Sequence, residues 1–109
     1  MTNPNKRRGD SHERAVRDYL QARGVTCERI PAGATQDHGD LWLPMPGPVI
    51  QCKNHARMDL AGWMDETLEQ MHNAGRGMAW VAVKRRGKNV ERSYLVTELG
   101  LGWHLLGDS

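Results

Sequence analysis

Phenylalanine is absent from this 109-residue chain, cysteine occurs twice, and aromatic residues make up only 6%. Bulky apolar volume therefore rests on four Trp and six Met, which suits one modest core in a single domain and not two. No apolar run approaches the roughly 20 residues of a bilayer-spanning helix. The opening Thr2-Asn3-Pro4-Asn5-Lys6-Arg7-Arg8 is polar, with no hydrophobic stretch behind it. Neither a membrane span nor a signal peptide is expected. Cys27 and Cys52 stand alone without CxxC spacing and read as buried thiols of a reducing compartment. The expectation is a cytoplasmic protein. A phosphate-cradling glycine loop, a serine nucleophile elbow and a coiled-coil heptad are also missing. His38, His55, Cys27 and Cys52 do not have the spacing of a zinc finger.

What is present is segregated charge. The net +2 divides into seven Lys/Arg against four acids over residues 1–29, two against six over 30–75, and six against one over 76–92. An acidic centre between basic flanks suits an enzyme that holds a polyanion with its arms and a cation with its middle. Solvated faces and basic turns are the plainer account of the same clusters.

Residues 1–9 read as a flexible basic arm, and residues 10–109 as one domain. Asp10 or Ser11 can cap a first helix to about Arg23, stopped by Gly24, with Val16, Tyr19 and Leu20 facing the core. Glu13 stands three residues after Asp10, which is capping-box spacing. His12, His72 and His104 read as surface or half-buried side chains. Val25 to Ile30 alternates as a first strand, and Pro31 to Gln36 is a small-residue loop. Asp40 to Leu43 forms a second strand, closed by the tight reversal Pro44-Met45-Pro46-Gly47-Pro48. Val49 to Lys53 is the third, with Val49, Gln51 and Lys53 on one face and Ile50 and Cys52 on the other.

Asp59 can cap a second helix to about His72, on which Leu60, Trp63, Met64, Leu68 and Met71 form an apolar stripe. Asp65, Glu66 and Glu69 fall outside the stripe; with Asp59 they could form a second acidic site, and a solvated helix face with a capping Asp is the plainer reading. Met78 to Val83 is apolar throughout and should be central in the sheet. The basic turn Lys84-Arg85-Arg86-Gly87-Lys88-Asn89 leads to a strand over Arg92 to Val96. Leu99 to Leu106 fits a short helix or an edge strand. The element order α-β-β-β-α-β-β predicts an α/β fold, a central mixed β-sheet flanked by helices.

A hairpin of the second and third strands places Asp40 beside Gln51, so that both side-chain oxygens can reach one hard cation. The Cys52 carbonyl can be a third ligand. Lys53, two residues after Gln51, shares its face. There it can orient or deprotonate a water, or offset charge growing on a phosphate.

The segments Gly9-Asp10-Ser11-His12-Glu13-Arg14, Glu28-Arg29-Ile30-Pro31, Gly39-Asp40-Leu41 and Val49-Ile50-Gln51-Cys52-Lys53-Asn54 together resemble the PD-(D/E)xK nuclease superfamily. Within it, the likeness is to archaeal and phage Holliday-junction resolvases. Met58 to Glu66 and Val83 to Lys88 look like a phage-encoded branch, which would place the protein in the host cytoplasm. The resemblance runs from about Lys6 to Val96. It implies a restriction-endonuclease-like core and a homodimeric endonuclease that cuts branched DNA with Mg²⁺ or Mn²⁺. By position, Glu13 would be the acid from the first helix, Asp40 the central metal ligand and Lys53 the catalytic lysine. Gln51 stands where the family has Glu or Asp. Arg29 and the basic arm with Lys6, Arg7 and Arg8 match positions that meet the DNA backbone, and Lys84, Arg85 and Arg86 form the second basic flank.

Gln51 is the departure. An amide carbonyl can ligate Mg²⁺ but carries no charge, so either Asp37 or Glu13 makes up the missing charge, or the domain binds DNA and cuts poorly. The alternatives are a non-catalytic DNA-binding module of the same fold, and a nuclease of the superfamily acting on duplex or flap DNA. A structural or regulatory protein whose basic faces bind RNA or another protein is a third.

Overall fold

The structure, a computed structural model, describes residues 4–31 and 38–107. A first helix, α1 (Pro4–Ala22), leads through β1 (Glu28–Arg29), β2 (Leu41–Trp42) and β3 (Val49–Lys53) to α2 (Leu60–Ala74), β4 (Ala79–Val83), β5 (Tyr94–Val96) and α3 (Leu99–Gly102). Single 3₁₀ turns cover Val90–Arg92 and Trp103–Leu105. The five strands form one mixed sheet in the order β1-β2-β3-β4-β5. Only β3 and β4 are parallel, in the register Val49 opposite Ala79 through Lys53 opposite Val83. The other three pairs are antiparallel.

Both faces of the sheet are covered, and strand alternation decides which residue goes where. Ile50, Cys52 and Ala82 meet Val16 of α1 and Leu41 of β2. Ala79, Val81 and Val83 meet Trp63 and Met64 of α2. A strand buried on both sides must be apolar at every position, as the run Ala79-Trp80-Val81-Ala82-Val83 is. It is interior to the sheet, with β3 in the middle. Burying Trp63 and Met64 contributes about 1.5–3 kcal/mol each. Asp59 caps α2 by accepting from the Gly62 N–H at 3.2 Å, and Gly75 ends it in the left-handed conformation with φ 65°.

Several expectations need correction. α1 starts at Pro4, so most of the expected flexible arm is helical backbone. Proline is preset for the first helical position, and Lys and Arg after it are good helix formers. Asp10 therefore lies inside the helix and cannot cap it. Tyr19 is only half-buried, with the Arg23 guanidinium 4.7 Å over its ring. The first strand shrinks to two residues because its start is used elsewhere. The Val25 N–H closes onto the Leu20 carbonyl at 3.0 Å, and the Cys27 carbonyl accepts from Gln21 Nε2 at 2.7 Å. Leu60 is exposed, whereas Thr67 and Gln70, polar residues outside the expected stripe, are buried. Of the two readings left open for Leu99 to Leu106, the helical one holds, over Leu99 to Leu105.

Candidate active site at the end of the central strand

The site begins with a glycine. Gly39 has φ +93°, and a Cβ there would come within 2.7 Å of Val49 Cγ1 and 3.1 Å of the Ile50 carbonyl. Only glycine lets the chain approach β3 so closely before Asp40. The Asp40 N–H then donates to the Ile50 carbonyl at 2.9 Å, and Leu41 pairs with Ile50. That register puts Asp40 across from Gln51, as the hairpin predicted. The Asp40 carboxylate turns along the sheet and accepts the Cys52 N–H at 2.7 Å. A side chain thus takes the place of the next rung of the ladder. In a strand the N–H and C=O of one residue point to the same side, so the Cys52 carbonyl faces the same gap.

Glu13 reaches this gap from α1. Its carboxyl is pushed above its ordinary value first by burial and then by the Asp40 carboxylate, with Arg29 pulling it back. The Arg29 guanidinium binds Glu13 at 3.4 Å and Asp10 at 3.2 Å, so Asp10 and Glu13, three apart on one helix face, hold one cation between them. Arg29 is committed to this pairing and half-buried, which removes it as a freely exposed contact for DNA. His12 is buried at 3% exposure, not superficial, and its Nε2 donates to the Ala82 carbonyl at 3.0 Å. Burial holds its pKa below 6.5, and Lys84 adds to this.

On the other face, Gln51 does something the sequence did not foreshadow. It is 4% exposed. Its Nε2 donates to Glu66 Oε1 at 2.6 Å, and its Oε1 accepts from Thr67 Oγ1 at 2.6 Å. The carboxylate can only accept, so it fixes the amide nitrogen toward Glu66 and the oxygen toward Thr67. Thr67 Oγ1 also lies 2.7 Å from the Trp63 carbonyl, but a hydroxyl has one proton, and Gln51 has the better use for it. The Gln51 oxygen is therefore directed at α2 and not at Asp40. Lys53 Nζ sits 3.5 Å from Glu66 Oε2, so one carboxylate spans both residues.

These donors can be weighed against a hard divalent cation. Mg²⁺ needs only one or two carboxylates, with waters and substrate phosphate completing its shell. Asp40, the Cys52 carbonyl and Glu13 are oxygen donors of that type, and the repulsion raising Glu13 beside Asp40 is what a cation relieves. Gln51 does not fit as a ligand in this arrangement. Among the described residues, no three His, Cys, Asp or Glu side chains converge as a ready-made metal cluster. Asp37, an alternative source of charge, lies outside the described residues, as do the side chains of Lys6, Arg7 and Arg8.

A cleft of about 480 Å³ opens at the carboxyl ends of β3 and β4, lined by Ser11, His12, Asn54, Lys84, Lys88 and Asn89 among others. Lys84 Nζ donates to the Lys88 carbonyl across the basic turn, while Arg86 is exposed and Arg85 half-buried. Sequence reasoning favoured a solvated face for Glu66, gave Thr67 no part, and expected His12 at or near the surface, where it is buried. Helical periodicity assigns Glu66 to solvent, and only the partner strand reveals its contacts. No protein-family model, no curated protein and no solved structure matches the chain.

Proposed function

We propose that the protein is a metal-dependent endonuclease that hydrolyses phosphodiester bonds of branched DNA, in the manner of a Holliday-junction resolvase built on a restriction-endonuclease-like core. The observation that carries this reading is the Asp40 carboxylate on the Cys52 N–H at 2.7 Å. That bond gathers an acid, a backbone carbonyl and, one residue on, Lys53 at one end of the central strand, with Glu13 beside them. A bound Mg²⁺ or Mn²⁺ would supply Lewis-acid polarisation of the phosphate and a ready nucleophile. Asp40 and Glu13 would hold it, with the Cys52 carbonyl. Lys53 places a fixed positive charge where a phosphate gains negative charge. The basic turn at Lys84, Arg85 and Arg86 would carry the duplex by its backbone, giving binding that weakens with salt and reads few bases. A cytoplasmic location accords with this role, and among the described residues no helix is long and apolar enough to cross a membrane.

The partner is a second copy. Tyr94, Leu95, Leu99, Trp103, Leu105 and Leu106 are 50–80% exposed and supply six of the ten exposed large apolar residues among those described. Leu95, Leu99, Leu105 and Leu106 line one groove beside edge strand β5, the apolar surface a second copy would cover, while Tyr94 points to the opposite face of the sheet from Leu95. A two-fold contact superposes a patch on itself, so net charge would repel. Residues 94–106 carry one acid, Glu98, and no Lys or Arg. Symmetric cuts on a four-way junction need two sites, which such a dimer provides.

The test is incubation with four-way, flap and linear DNA in Mg²⁺ or Mn²⁺. Cleavage by the wild type that Lys53→Ala and Asp40→Ala abolish supports the reading, and no cleavage of any substrate sinks it. The saturated Gln51 amide favours one second reading, a DNA-binding module of the same fold without chemistry. Tight junction binding with no cut under any metal would identify that case.

A further inference from the structure

The amide at position 51 leaves the α2 face of the site one negative charge short of a carboxylate strand position. The same face shows where a charge stands instead. Glu66 is on α2, two turns into the helix, and its two oxygens divide between Gln51 Nε2 at 2.6 Å and Lys53 Nζ at 3.5 Å. A solvated helix glutamate has no need of a buried glutamine to orient it. Here Gln51 is anchored from behind by Thr67, which is itself fully buried. The chain Thr67–Gln51–Glu66 thus aims a half-exposed carboxylate at the lysine that closes β3.

We infer that Glu66 is the acid that position 51 lacks, delivered to the same end of β3 from the neighbouring helix and positioned by Gln51. Charge and hydrogen bonding, which a single strand carboxylate would combine, are divided between two residues here. Gln51 supplies the buried anchor and Glu66 the charge beside Lys53 and the site. The inference rests on the nuclease reading for what that charge does, but the pairing itself makes a claim independent of activity. A carboxylate at both positions would put two anions at hydrogen-bond distance with one proton donor, Thr67, behind them. The charge should therefore be transferable between the positions and intolerable at both.

The experiment is a charge swap read by thermal unfolding and by Mn²⁺ binding, using electron paramagnetic resonance of the free ion. Glu66→Gln keeps an amide oxygen for Gln51 to donate to and should unfold near the wild-type temperature, while loss of one negative charge near the site lowers Mn²⁺ affinity severalfold. Gln51→Glu should lower the unfolding temperature, and Gln51→Glu with Glu66→Gln should recover both the temperature and the Mn²⁺ affinity. Should Glu66→Gln bind Mn²⁺ as the wild type does while Asp40→Asn loses it, Glu66 is only a structural link and the inference falls. A double variant no more stable than Gln51→Glu alone overturns it equally. A wild type that neither binds Mn²⁺ nor cuts DNA instead removes the nuclease reading, and with it the role given to Glu66.

Discussion

On the α1 face of β3, charged groups meet directly. Glu13 and Asp10 clamp Arg29, and burial first, then the Asp40 carboxylate, push the Glu13 carboxyl up. On the α2 face, 4% exposed Gln51 stands between a hydroxyl and Glu66, and Lys53 reaches the same carboxylate. The first face holds two acids near one another, which the proposed cation would offset. The second uses neutral groups to aim one acid. The difference teaches where each face is vulnerable. A neutral substitution on the α1 face relieves repulsion, so it costs function more than stability. Removing the buried Thr67–Gln51 hydrogen bond on the α2 face leaves a polar atom without its partner, so it costs stability at once.

The largest expected effect breaks the gap between the faces. Asp40→Asn or Lys53→Ala should slow DNA cleavage at least about a hundredfold, the scale of losing one charged or donor group at a reacting centre. Circular dichroism should report a folded chain in both. Gly39→Ala strikes the same point through the backbone, since its Cβ would meet Val49 and the Ile50 carbonyl at a positive φ. A cost of roughly 1–3 kcal/mol in urea unfolding is expected, with cleavage lost alongside.

Next comes the α2 face. Thr67→Val keeps the shape of a fully buried side chain but strips the donor from Gln51 Oε1. It should destabilise by about 1–3 kcal/mol. If it unfolds with the wild type, the Gln51 anchor has no energetic reality.

The α1 face gives a pH signature. The folded pKa of Glu13 lies above its ordinary 4.5, so between the two values the native state holds more protons than the unfolded one. Stability from this group is present below about 4.5 and lost as pH rises through the folded value. The difference in unfolding free energy between wild type and Glu13→Gln should therefore shift against the wild type as pH climbs through that window. A difference that is flat with pH contradicts the upward shift that burial, and then the neighbouring Asp40 charge, give Glu13.

The smallest effect on folding is expected at the exposed apolar residues after β5. Leu99→Asp with Trp103→Asp alters residues that are 76% and 64% exposed, so monomer stability should hardly change. Light scattering should nonetheless show a dimer for the wild type and a monomer for the variant. A wild-type monomer at all concentrations removes the proposed second copy.

Much of this was legible in the residues. Val49 to Lys53 and its division into two faces followed from a period of two, and the Asp59 cap and Gly75 stop bounded α2 within two residues. Asp40 opposite Gln51 followed from the proline-rich reversal between their strands. The remainder was not legible because it depends on tertiary contact. Periodicity assigns Glu66 to solvent, and it is half-exposed. Nothing local to α2 reveals that its carboxylate meets two side chains of β3. Capping-box spacing explained Glu13 until the helix began at Pro4, six residues earlier than its expected cap, and left Asp10 and Glu13 free to grip Arg29. Thr67, a β-branched polar residue within a helix, is fully buried against Gln51, a contact that helical periodicity alone does not foretell.

The central claim is that the end of β3 cuts DNA. The most direct measurement is cleavage of a four-way junction in Mn²⁺ by the wild type and by folded Asp40→Asn, side by side at equal protein concentration. Cutting by the wild type is expected, with a rate at least about a hundredfold lower for the variant. Equal rates, or an intact junction with both proteins, would contradict the claim.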